Sequence, residues 1–426
     1  MDKYDVVIVG GGVVGICAAY FLHQQGKSVA VLDKGEIGGA CSWGNAGYIT
    51  PSHIIPLAAP GMIAQGIKWL FHSQSPFTIK PKLELDFATW LIHFFRHCTK
   101  RHIDNSKHLL LDLHQQSLAL YQNFHQLLSD NSAYNFELFH NGLLFLYKHE
   151  AALKTETERV AMARELGLNA RMVEPQQVAE MEPQLRFDIR GGAYYPEDAH
   201  TLPFRFVQGL KNFLAEQSGS GGGVKFFEKM TVTEFKHNRG RIDEVVTTHK
   251  RVRCDELVIA AGAWSAALGR TLGLKIPVQS GKGYSFFQSG GDYPCRTPFI
   301  LEEARVAVTP MCDNIRFAGT LELGNMDPAV NPHRVKGILN GIKSFLPDFK
   351  PEKVKLDQVW SGFRPCSPDG IPIIGRHPAF DNLTLATGHA MMGMSLGPIS
   401  GKLVAEIISG LSPSVPLAAM ATNRFN

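Results

Sequence analysis

The sequence predicts an α/β fold with two domains, the first of which opens on a strand–helix–strand unit. Residues 4–9 resemble a strand, an apolar helix follows from about 16 to 23, and a second strand-like run ends on Asp33. Residues 256–265 again resemble a buried strand that enters a small-residue turn and a helix. Residues 277–350 are β-rich, and 426 residues suffice to bury two cores.

Composition and charge argue against several classes of protein. The chain is 44% hydrophobic and 19% charged with a net charge of +4, which does not indicate a dedicated nucleic-acid binder. Its seven cysteines, at 17, 41, 98, 254, 295, 312 and 366, form no C-x-x-C pair and indicate a reducing compartment. No apolar run approaches ~18 residues, and a core strand from residue 4 leaves no room for a signal peptide. We therefore expect a cytoplasmic protein, with contact to a membrane surface left open.

The first strand runs into G-x-G-x-x-G, formed by Gly10, Gly12 and Gly15. Gly10 suits the tight turn, Gly12 allows the backbone to approach a pyrophosphate, and Gly15 allows the helix to pack close to the strand. The helix N-terminus offers free N–H groups to phosphates, and Asp33 can accept hydrogen bonds from a ribose. The pattern predicts a dinucleotide site rather than a bare glycine turn, without identifying the dinucleotide.

Small and hydroxyl residues dominate the loop from Gly38 to Gly47, just past this acid. Such a loop lets the backbone approach a large flat ligand, although an ordinary glycine loop is the alternative. We find no second G-x-G-x-x-G in the chain. A reductase fed by NAD(P)H usually carries two nucleotide sites, so the electrons are expected to come from the other substrate.

Residues 51–107 form either a helical cap over the nucleotide domain or an interfacial membrane patch. Two sets of apolar residues have helical spacing: Met62, Ile63, Gly66, Ile67 and Leu70, then Phe87, Trp90, Leu91, Phe94, Phe95 and Cys98. Basic residues follow, namely Arg96, Lys100, Arg101 and Lys107. Histidines 93, 97 and 102 lack the acidic partner of H-E-x-x-H, so no metal site is predicted.

Further elements follow from periodicity and from glycine and proline positions. Helices are predicted over 108–128, 151–167, 204–217, 332–345 and 396–409, with a short one that starts with Val173-Glu174-Pro175. Strands are predicted over 142–147, 224–227, 231–235, 281–286 and 383–386, with a hairpin of 304–310 and 314–322. Residues 218–223 are glycine-rich and predict a flexible turn.

Three separated motifs together resemble the FAD-dependent D-amino-acid oxidase superfamily. They are the N-terminal glycine motif, V-I-A-A-G-A-W-S at 258–265, and G-F-R-P-x-S-P-D-G at 362–370 followed by T-G-H-x-x-x-G at 387–393. The bacterial D-amino-acid dehydrogenase branch is the nearest match. The segments that resemble it are Asn45-Ala46-Gly47, Ala58-Ala59-Pro60-Gly61, Lys282-Gly283-Tyr284-Ser285 and Gly388-His389.

The resemblance implies a discontinuous Rossmann-like FAD-binding domain and a substrate domain with a mixed, largely antiparallel sheet and a helical cap. The expected FAD-binding segments are 1–86, 197–276 and 355–426, and the substrate or cap segments are 87–196 and 277–354. FAD is expected to be noncovalent. The slot of the flavin-tethering cysteine of some relatives holds Gly362 here, and Cys366 lies elsewhere in that loop.

Cofactor contacts carry over from the family onto matching positions, with Val232 expected to hold the adenine side through its backbone and the loop from His389 expected to border the ring. The full set is Gly10, Gly12, Val13, Val14, Gly15, Asp33, Lys34, Cys41, Ser42, Asn45, Ala46, Gly47, Val232, Ala261, Gly262, Gly388, His389, Met391, Met392, Gly393 and Met394.

The activity implied is oxidative deamination of a D-amino acid, such as D-proline or cis-4-hydroxy-D-proline. Hydride would pass from the α-carbon to flavin N5, and electrons would pass on to a quinone or respiratory acceptor. Glycine oxidase carries an arginine where this chain has Met391, which leaves Arg364 as the candidate anchor for a substrate carboxylate. The alternative role for Arg364 is support of the flavin loop or a surface ion pair.

Tyr284, His53 and Met391 are further candidate substrate contacts, and structural roles for Tyr284 and His53 remain equally open. His389 is expected to shape the flavin loop rather than to transfer protons, and no catalytic side chain is identified. Two other functions are kept. One is an oxygen-using amine oxidase of glycine or sarcosine type. The other, of a different class, is a flavin enzyme acting on a macromolecule such as tRNA; the modest charge and the absence of a nucleic-acid module count against it.

Overall fold

The computed structural model describes residues 1–63, 74–80, 84–218 and 223–425, and it is an α/β protein. The strands are β1 (Asp2–Val9), β2 (Val29–Leu32), β3 (Tyr48–Ile49), β4 (Phe77–Ile79), β5 (Leu138–Phe139), β6 (Leu143–Tyr147), β7 (Arg171–Val173), β8 (Gly191–Tyr195), β9 (Ala199–Thr201), β10 (Val224–Phe227), β11 (Val232–Asn238), β12 (Arg241–Thr247), β13 (Arg251–Ile259), β14 (Gln279–Ser289), β15 (Phe299–Leu301), β16 (Val306–Met311), β17 (Asn314–Leu323), β18 (Trp360–Cys366), β19 (Ile373–Arg376) and β20 (Leu383–Thr387). The α-helices are α1 (Val13–Gln24), α2 (Leu85–His97), α3 (Lys100–Leu128), α4 (Glu150–Glu165), α5 (Pro175–Met181), α6 (Pro203–Gln217), α7 (Ser265–Thr271), α8 (Pro332–Phe345) and α9 (Gly393–Ile408).

The first sheet has a parallel centre, in the order β10-β2-β1-β13, and β20 joins the far side of β13 in parallel. Antiparallel β12 and β11 extend the other half of the same β13 edge, and β19 lies beyond β20. Both faces are covered, as an all-apolar parallel strand requires. Val6 and Ile8 of β1 face a core shared with α1, while Val7 and Val9 face a core under β11–β13.

The second sheet runs β18-β14-β17-β16-β15-β6-β8-β7, with β4 pairing onto the end of β17. Its pairs are antiparallel except β15 with β6 and β4 with β17. The predicted mixed, largely antiparallel sheet is therefore confirmed. Helix α8 packs its buried Val335, Ile338 and Ile342 against one face, which leaves the other face available to line a cavity.

Most of the predicted helices and strands are present, and several are longer than predicted. The helix predicted over 108–128 begins at Lys100, because the Thr99 side chain caps it by accepting from the His102 N–H. The closing helix begins at Gly393 rather than 396. Predictions for residues 66–70 and for 219–222 lie outside the described residues. Within the described ranges, no helix has the length and apolarity that crossing a membrane demands.

The expected domain boundaries stay a prediction, and the sheets divide the chain somewhat differently. β18 (Trp360–Cys366) pairs with β14 in the second sheet, although the boundary at 355 assigns it to the cofactor domain. Likewise β4 (Phe77–Ile79) pairs with β17 although it precedes the boundary at 86. Residues of both strands line a cavity between the two sheets.

Candidate functional site

A cavity of about 790 Å³ lies between the two sheets. One wall comes from the glycine turn after β1 and the turn after β13, and the opposite wall comes from β14, β17 and β18. The loop preceding α9 closes a third side. The cavity therefore collects residues from both ends of the chain.

The glycine turn is tight for steric reasons. Gly10 has φ +113°, and a Cβ there would lie 2.5 Å from the Ala260 carbonyl oxygen. A Cβ on Gly15 would lie 1.9 Å from the Gly10 carbonyl oxygen, so only glycine lets α1 cross this close to β1. Helix α1 has no side-chain cap at Gly12, and the Val13 N–H donates to Ser42 Oγ at 3.0 Å. Its first turn is open toward the cavity, which suits a phosphate.

Asp33 ends β2 and organises the neighbouring backbone. Oδ2 accepts from the Gly11 N–H and Oδ1 from the Gly35 N–H, both at 2.8 Å. Each carboxylate oxygen retains a further lone pair for a ribose hydroxyl. The Lys34 ammonium lies 3.6 Å from the centre of the Trp264 ring, so it stacks at the rim of the cavity.

Arg316, a buried arginine that is not among the sequence-based candidates, holds the loop before Gly47 in place through hydrogen bonds. The Arg316 guanidinium donates to the Trp43 and Asn45 carbonyl oxygens at 2.5 and 2.6 Å. Burial lowers the pKa of Arg316 to about 10. Asn45 Oδ1 accepts from the Gly47 N–H at 2.8 Å, which fixes the turn into β3. No local motif marks Arg316, because it reaches this loop from β17.

The loop between β20 and α9 borders the other end of the cavity. Gly388 and Ala390 have φ of +78° and +47°, and the Ala390 N–H donates to the Pro365 carbonyl at 2.7 Å. His389 Nε2 bonds Ser400 Oγ at 2.8 Å, and burial lowers the pKa of His389 to about 4. The imidazole is thus neutral and its Nε2 is hydrogen-bonded, as expected of a residue that shapes the loop. Met391 is half exposed and lines the cavity.

Arg364 lines the cavity from β18 and has no carboxylate to neutralise it among the described residues. Its Nη1 donates to the Thr320 carbonyl oxygen at 2.7 Å. Burial lowers the pKa of Arg364, with only weak opposing effects from Cys366 and Cys41. A buried guanidinium without a counter-ion is costly, so the site favours an anion.

A β-bulge positions Arg364. The β14–β17 register shifts between Lys282 and Tyr284, and Thr320 in the bulge adopts φ +67°, unusual for a β-branched residue. This turns the Thr320 carbonyl toward Arg364. A Cβ on Gly283 would lie 2.0 Å from Arg364 Nη1, so the guanidinium packs directly over that glycine.

Tyr284 lines the cavity, but its hydroxyl is already engaged by Glu322 Oε1. Burial, reinforced by Glu322, raises the pKa of Tyr284. Asn325 Nδ2 also approaches Glu322, at 3.4 Å. The ring can contact a substrate, whereas the hydroxyl holds the strand pair together.

The far end of the cavity is lined by a group that we call the distal polar cluster: His53, Arg159, Tyr195, Glu302 and Arg305. Of these, only His53 stands among the sequence-based candidates. Burial, together with the nearby charge of Arg159, lowers the pKa of His53 to about 4. Arg159 lies on α4, whose sequence resembles an ordinary surface helix, so sequence patterns gave no signal for it.

The structure brings most predicted site residues together. All four substrate candidates, Arg364, Tyr284, His53 and Met391, line the cavity. Among the cofactor candidates, Gly15, Gly47 and Gly388 are absent from its lining and have backbone roles instead. The remaining cofactor candidates line it: Gly10, Gly12, Val13, Val14, Asp33, Lys34, Cys41, Ser42, Asn45, Ala46, Val232, Ala261, Gly262, His389, Met391, Met392, Gly393 and Met394.

Comparison with known proteins gives consistent results for sequence and fold. The family model described as "DAO: FAD dependent oxidoreductase" matches residues 5–407. A D-amino acid dehydrogenase of Neisseria meningitidis serogroup C is 30% identical over 99% of both chains, and one of Chromohalobacter salexigens is 29% identical over 99% of both. Glycine oxidase from Geobacillus kaustophilus has a similar fold, with a TM-score of 0.79 at 24% identity over 100% of this chain and 99% of that one. L-proline dehydrogenase from P. horikoshii gives 0.75 at 19%, over 100% and 98%.

Proposed function

Because the chain belongs to the DAO family of FAD-dependent oxidoreductases, with FAD as its cofactor, we propose that it oxidises a D-amino acid at the α-carbon and passes the electrons to a quinone or another respiratory acceptor. The D-amino acid dehydrogenases that share its full length support this substrate class. The single observation that carries the proposal is Arg364, a partly buried cation without a carboxylate partner among the described residues, in the cavity that the glycine turn also lines.

The residues present fit FAD. Gly10 and Gly12 put no side chain between the backbone and a pyrophosphate, and the first turn of α1 has no side-chain cap. The cavity continues from this turn to the loops around Asn45 and Met392, which gives length for the flavin end. FAD, when bound, accepts the hydride that the substrate loses. We propose that it is noncovalent, since Gly362 stands at the tethering slot and Cys366 is fully buried outside the lining.

Arg364 would hold the substrate carboxylate through two parallel N–H···O bonds. Its Nη1 contact with the Thr320 carbonyl fixes the plane of the guanidinium, so the α-carbon is presented in one orientation. The ammonium group of the amino acid must lose a proton before the α-hydrogen leaves as hydride. His389 is paired with Ser400 and the Tyr284 hydroxyl is held by Glu322, so we propose that the amino acid reacts with a neutral amine whose proton has passed to solvent. The chain's contribution is positioning, charge complementarity and exclusion of water.

The decisive experiment is anaerobic bleaching of the flavin absorbance by a panel of amino acids. The panel includes D-alanine, D-proline, cis-4-hydroxy-D-proline, glycine, sarcosine and the L-enantiomers. We expect D-amino acids to bleach the flavin and L-enantiomers to leave it oxidised. Bleaching by glycine and sarcosine alone would instead favour an amine oxidase of that type. No bleaching by any of them would refute the proposal.

A respiratory acceptor accords with the surface of α2. Phe87, Trp90 and Phe94 pack inward, whereas Leu85, Ile92 and Phe95 are exposed. Arg96, Lys100 and Arg101 are also exposed beside this apolar face, as in a helix that rests on anionic lipid.

Two measurements test the acceptor and the membrane contact separately. Turnover with a soluble quinone should exceed turnover with oxygen, and stoichiometric oxygen consumption would contradict the proposed acceptor. Co-flotation with anionic vesicles should be lost in Ile92→Ser/Phe95→Ser, and equal flotation of both proteins would contradict contact through α2.

A further inference from the structure

We propose that the distal polar cluster is a second substrate subsite, which binds an oxygen-bearing group on the side chain of the amino acid. The inference rests on the proposed function and narrows it to substrates with a hydrogen-bond-accepting oxygen remote from the α-carbon. The cluster lines the same cavity as Arg364.

Ion pairs connect the charged side chains of the cluster, and they use few of the available nitrogen and oxygen atoms. Arg159 Nη1 donates to Glu156 Oε1 at 2.6 Å and to Glu302 Oε1 at 3.0 Å. Arg305 Nη1 lies 2.7 Å from the same Glu302 oxygen. Burial opposes ionisation of Glu302, but the two arginines outweigh it and lower its pKa. The ion pairs therefore fix the side chains while using only one nitrogen of Arg159.

Several polar groups of the cluster have no partner among the described residues. The other N–H groups of Arg159 donate to no described acceptor, and neither the Tyr195 hydroxyl nor His53 Nε2 forms a described hydrogen bond. Buried His53 Nδ1 and Glu302 Oε2 are also unpartnered. Buried polar groups are normally hydrogen-bonded, so a cavity wall with this many unmet groups is built for a polar occupant.

The hydrogen-bond donors of the cluster determine which chemical group can bind there. Guanidinium N–H groups can only donate, so the group they meet must accept. The neutral imidazole of His53 and the Tyr195 hydroxyl can each donate or accept. A hydroxyl, carboxamide or carboxylate oxygen can accept from the guanidinium, the imidazole and the phenol. An ammonium could donate to the unpartnered Glu302 Oε2, but it would lie against two arginine cations that repel it. The α-carboxylate itself belongs at Arg364, which has no carboxylate partner among the described residues, whereas Arg159 already pairs with Glu302.

The strand order separates the two subsites. Arg364 lies on β18 and Glu302 directly follows β15, four strand steps away in β18-β14-β17-β16-β15. At ~4.8 Å per step, the backbones are roughly 19 Å apart before sheet twist and the reach of long side chains are considered. The oxygen that the cluster binds is therefore at some distance from the reacting carbon, which favours long or cyclic side chains.

Matched substrate pairs test the subsite through kcat/KM. The pairs are D-proline and cis-4-hydroxy-D-proline, and D-norleucine and D-glutamine. D-glutamate and D-lysine serve as the charged arms. The oxygen-bearing member should be preferred about tenfold in at least one pair, as one extra hydrogen bond of ~1.4 kcal/mol gives. Preference for D-glutamate would identify an anionic side chain within the same chemistry, and preference for D-lysine would overturn the proposal.

The isosteric variant Tyr195→Phe removes one free hydroxyl without altering volume, and it should reduce the preference toward parity. Tyr194→Phe is the matched control, since that hydroxyl donates to the Asn141 carbonyl outside the cavity at 3.2 Å. His53→Leu gives a second, independent measurement. An unchanged preference in both cluster variants would overturn the subsite, as would equal use of both members of every pair by the wild type.

The outcomes separate the subsite from the proposed function. Bleaching by aliphatic D-amino acids alone would leave the D-amino acid activity standing and overturn only the subsite. Failure of every amino acid to bleach the flavin would overturn both.

Discussion

Arg364 combines three properties that rarely coincide: a place in the cavity wall, one carbonyl partner and no described carboxylate partner. Arg364→Lys keeps the charge but loses the bidentate geometry. We expect KM for the amino acid to rise by roughly 30- to 150-fold, corresponding to about 2–3 kcal/mol, with FAD still bound. Steady-state kinetics with a quinone acceptor measure this. Arg376→Lys, which alters an ion pair with Glu256 outside the cavity, should leave KM unchanged.

Gly283 offers a test of the same site without touching the arginine. A methyl group there would lie 2.0 Å from Arg364 Nη1, so Gly283→Ala must displace the guanidinium. We expect a higher KM and an unaltered flavin spectrum in the absence of substrate. Gly291→Ala, which meets only the Ser289 side chain at 3.6 Å, is the control. A wild-type KM in Gly283→Ala would mean that Arg364 does not contact substrate.

The site residues that the sequence identified and those that it missed differ in how far along the chain their contact partners lie. Gly10, Asp33 and Arg364 stand in contiguous motifs whose backbone geometry is local. Arg316 acts on a loop some 270 positions earlier in the chain, at separations of 273 and 271 residues for its two bonds. Arg159 becomes part of the cavity only because α4 packs beside β7 and β8. Such roles arise from tertiary packing, which no local pattern encodes.

At the scale of elements, α1 and α9 cross at glycine contacts. A Cβ on Gly401 would lie 2.4 Å from the Cys17 carbonyl carbon, and one on Gly397 would lie 2.5 Å from Val13 Cγ2. Gly401→Ala should push the helices apart and lower the free energy of unfolding by ~1–3 kcal/mol. Because both helices begin at the cavity, FAD should also dissociate more readily.

Thermal unfolding and FAD retention on gel filtration test this crossing. The neighbouring Lys402→Ala, which removes only a partly exposed ion pair with Glu406, should change stability by a few tenths of a kcal/mol. Equal stability of the two variants would show that the helices can separate without cost.

Long periodic elements were predictable, whereas short or irregular ones were not. Helix α8 has the bounds that its apolar spacing and proline start predict. Strands β3, β5, β7 and β9 have only two or three residues each, too few to establish an alternation. β18 was not predicted as a strand, because it contains glycine and proline, which are both unfavourable in strands. Its pairing with β14 comes from the sheet around it.

For the molecule as a whole, buried titratable groups predict a stability maximum near pH 6.5. Burial lowers the pKa of His53, His200 and His389 to about 4 and of His114 to about 3. The unfolded chain binds these protons first as pH falls below ~6.5, so stability is lost toward acid. Burial raises the pKa of Asp198 to about 8 and of Glu156 to about 7. The folded chain keeps these protons at pH values where the unfolded chain has already released them, so stability falls again up to about pH 8.

Thermal unfolding of the FAD-loaded protein across pH 4–9 tests both limbs of this curve. Asp198→Asn should flatten the alkaline limb, since the amide cannot ionise and still accepts the Ser52 N–H bond through its oxygen. His200→Asn should weaken the acid limb. An alkaline limb as steep in Asp198→Asn as in the wild type would contradict the assignment.

The order of the strands also has a consequence for biosynthesis. The N-terminal βαβ unit is among the first parts of the chain to be translated, yet β1 pairs with β13, β13 pairs with β20, and α1 packs against α9. Ser409 and Gln25, which meet at the end of this packing, are 384 positions apart. The βαβ unit of the nascent chain therefore keeps an unpaired sheet edge at β1 until β13 has left the ribosome, and an uncovered face on α1 until α9 has left it. FAD can be enclosed only after α9 has been synthesised, and a chain truncated before α9 would be a substrate for chaperones and proteases rather than a smaller flavoprotein.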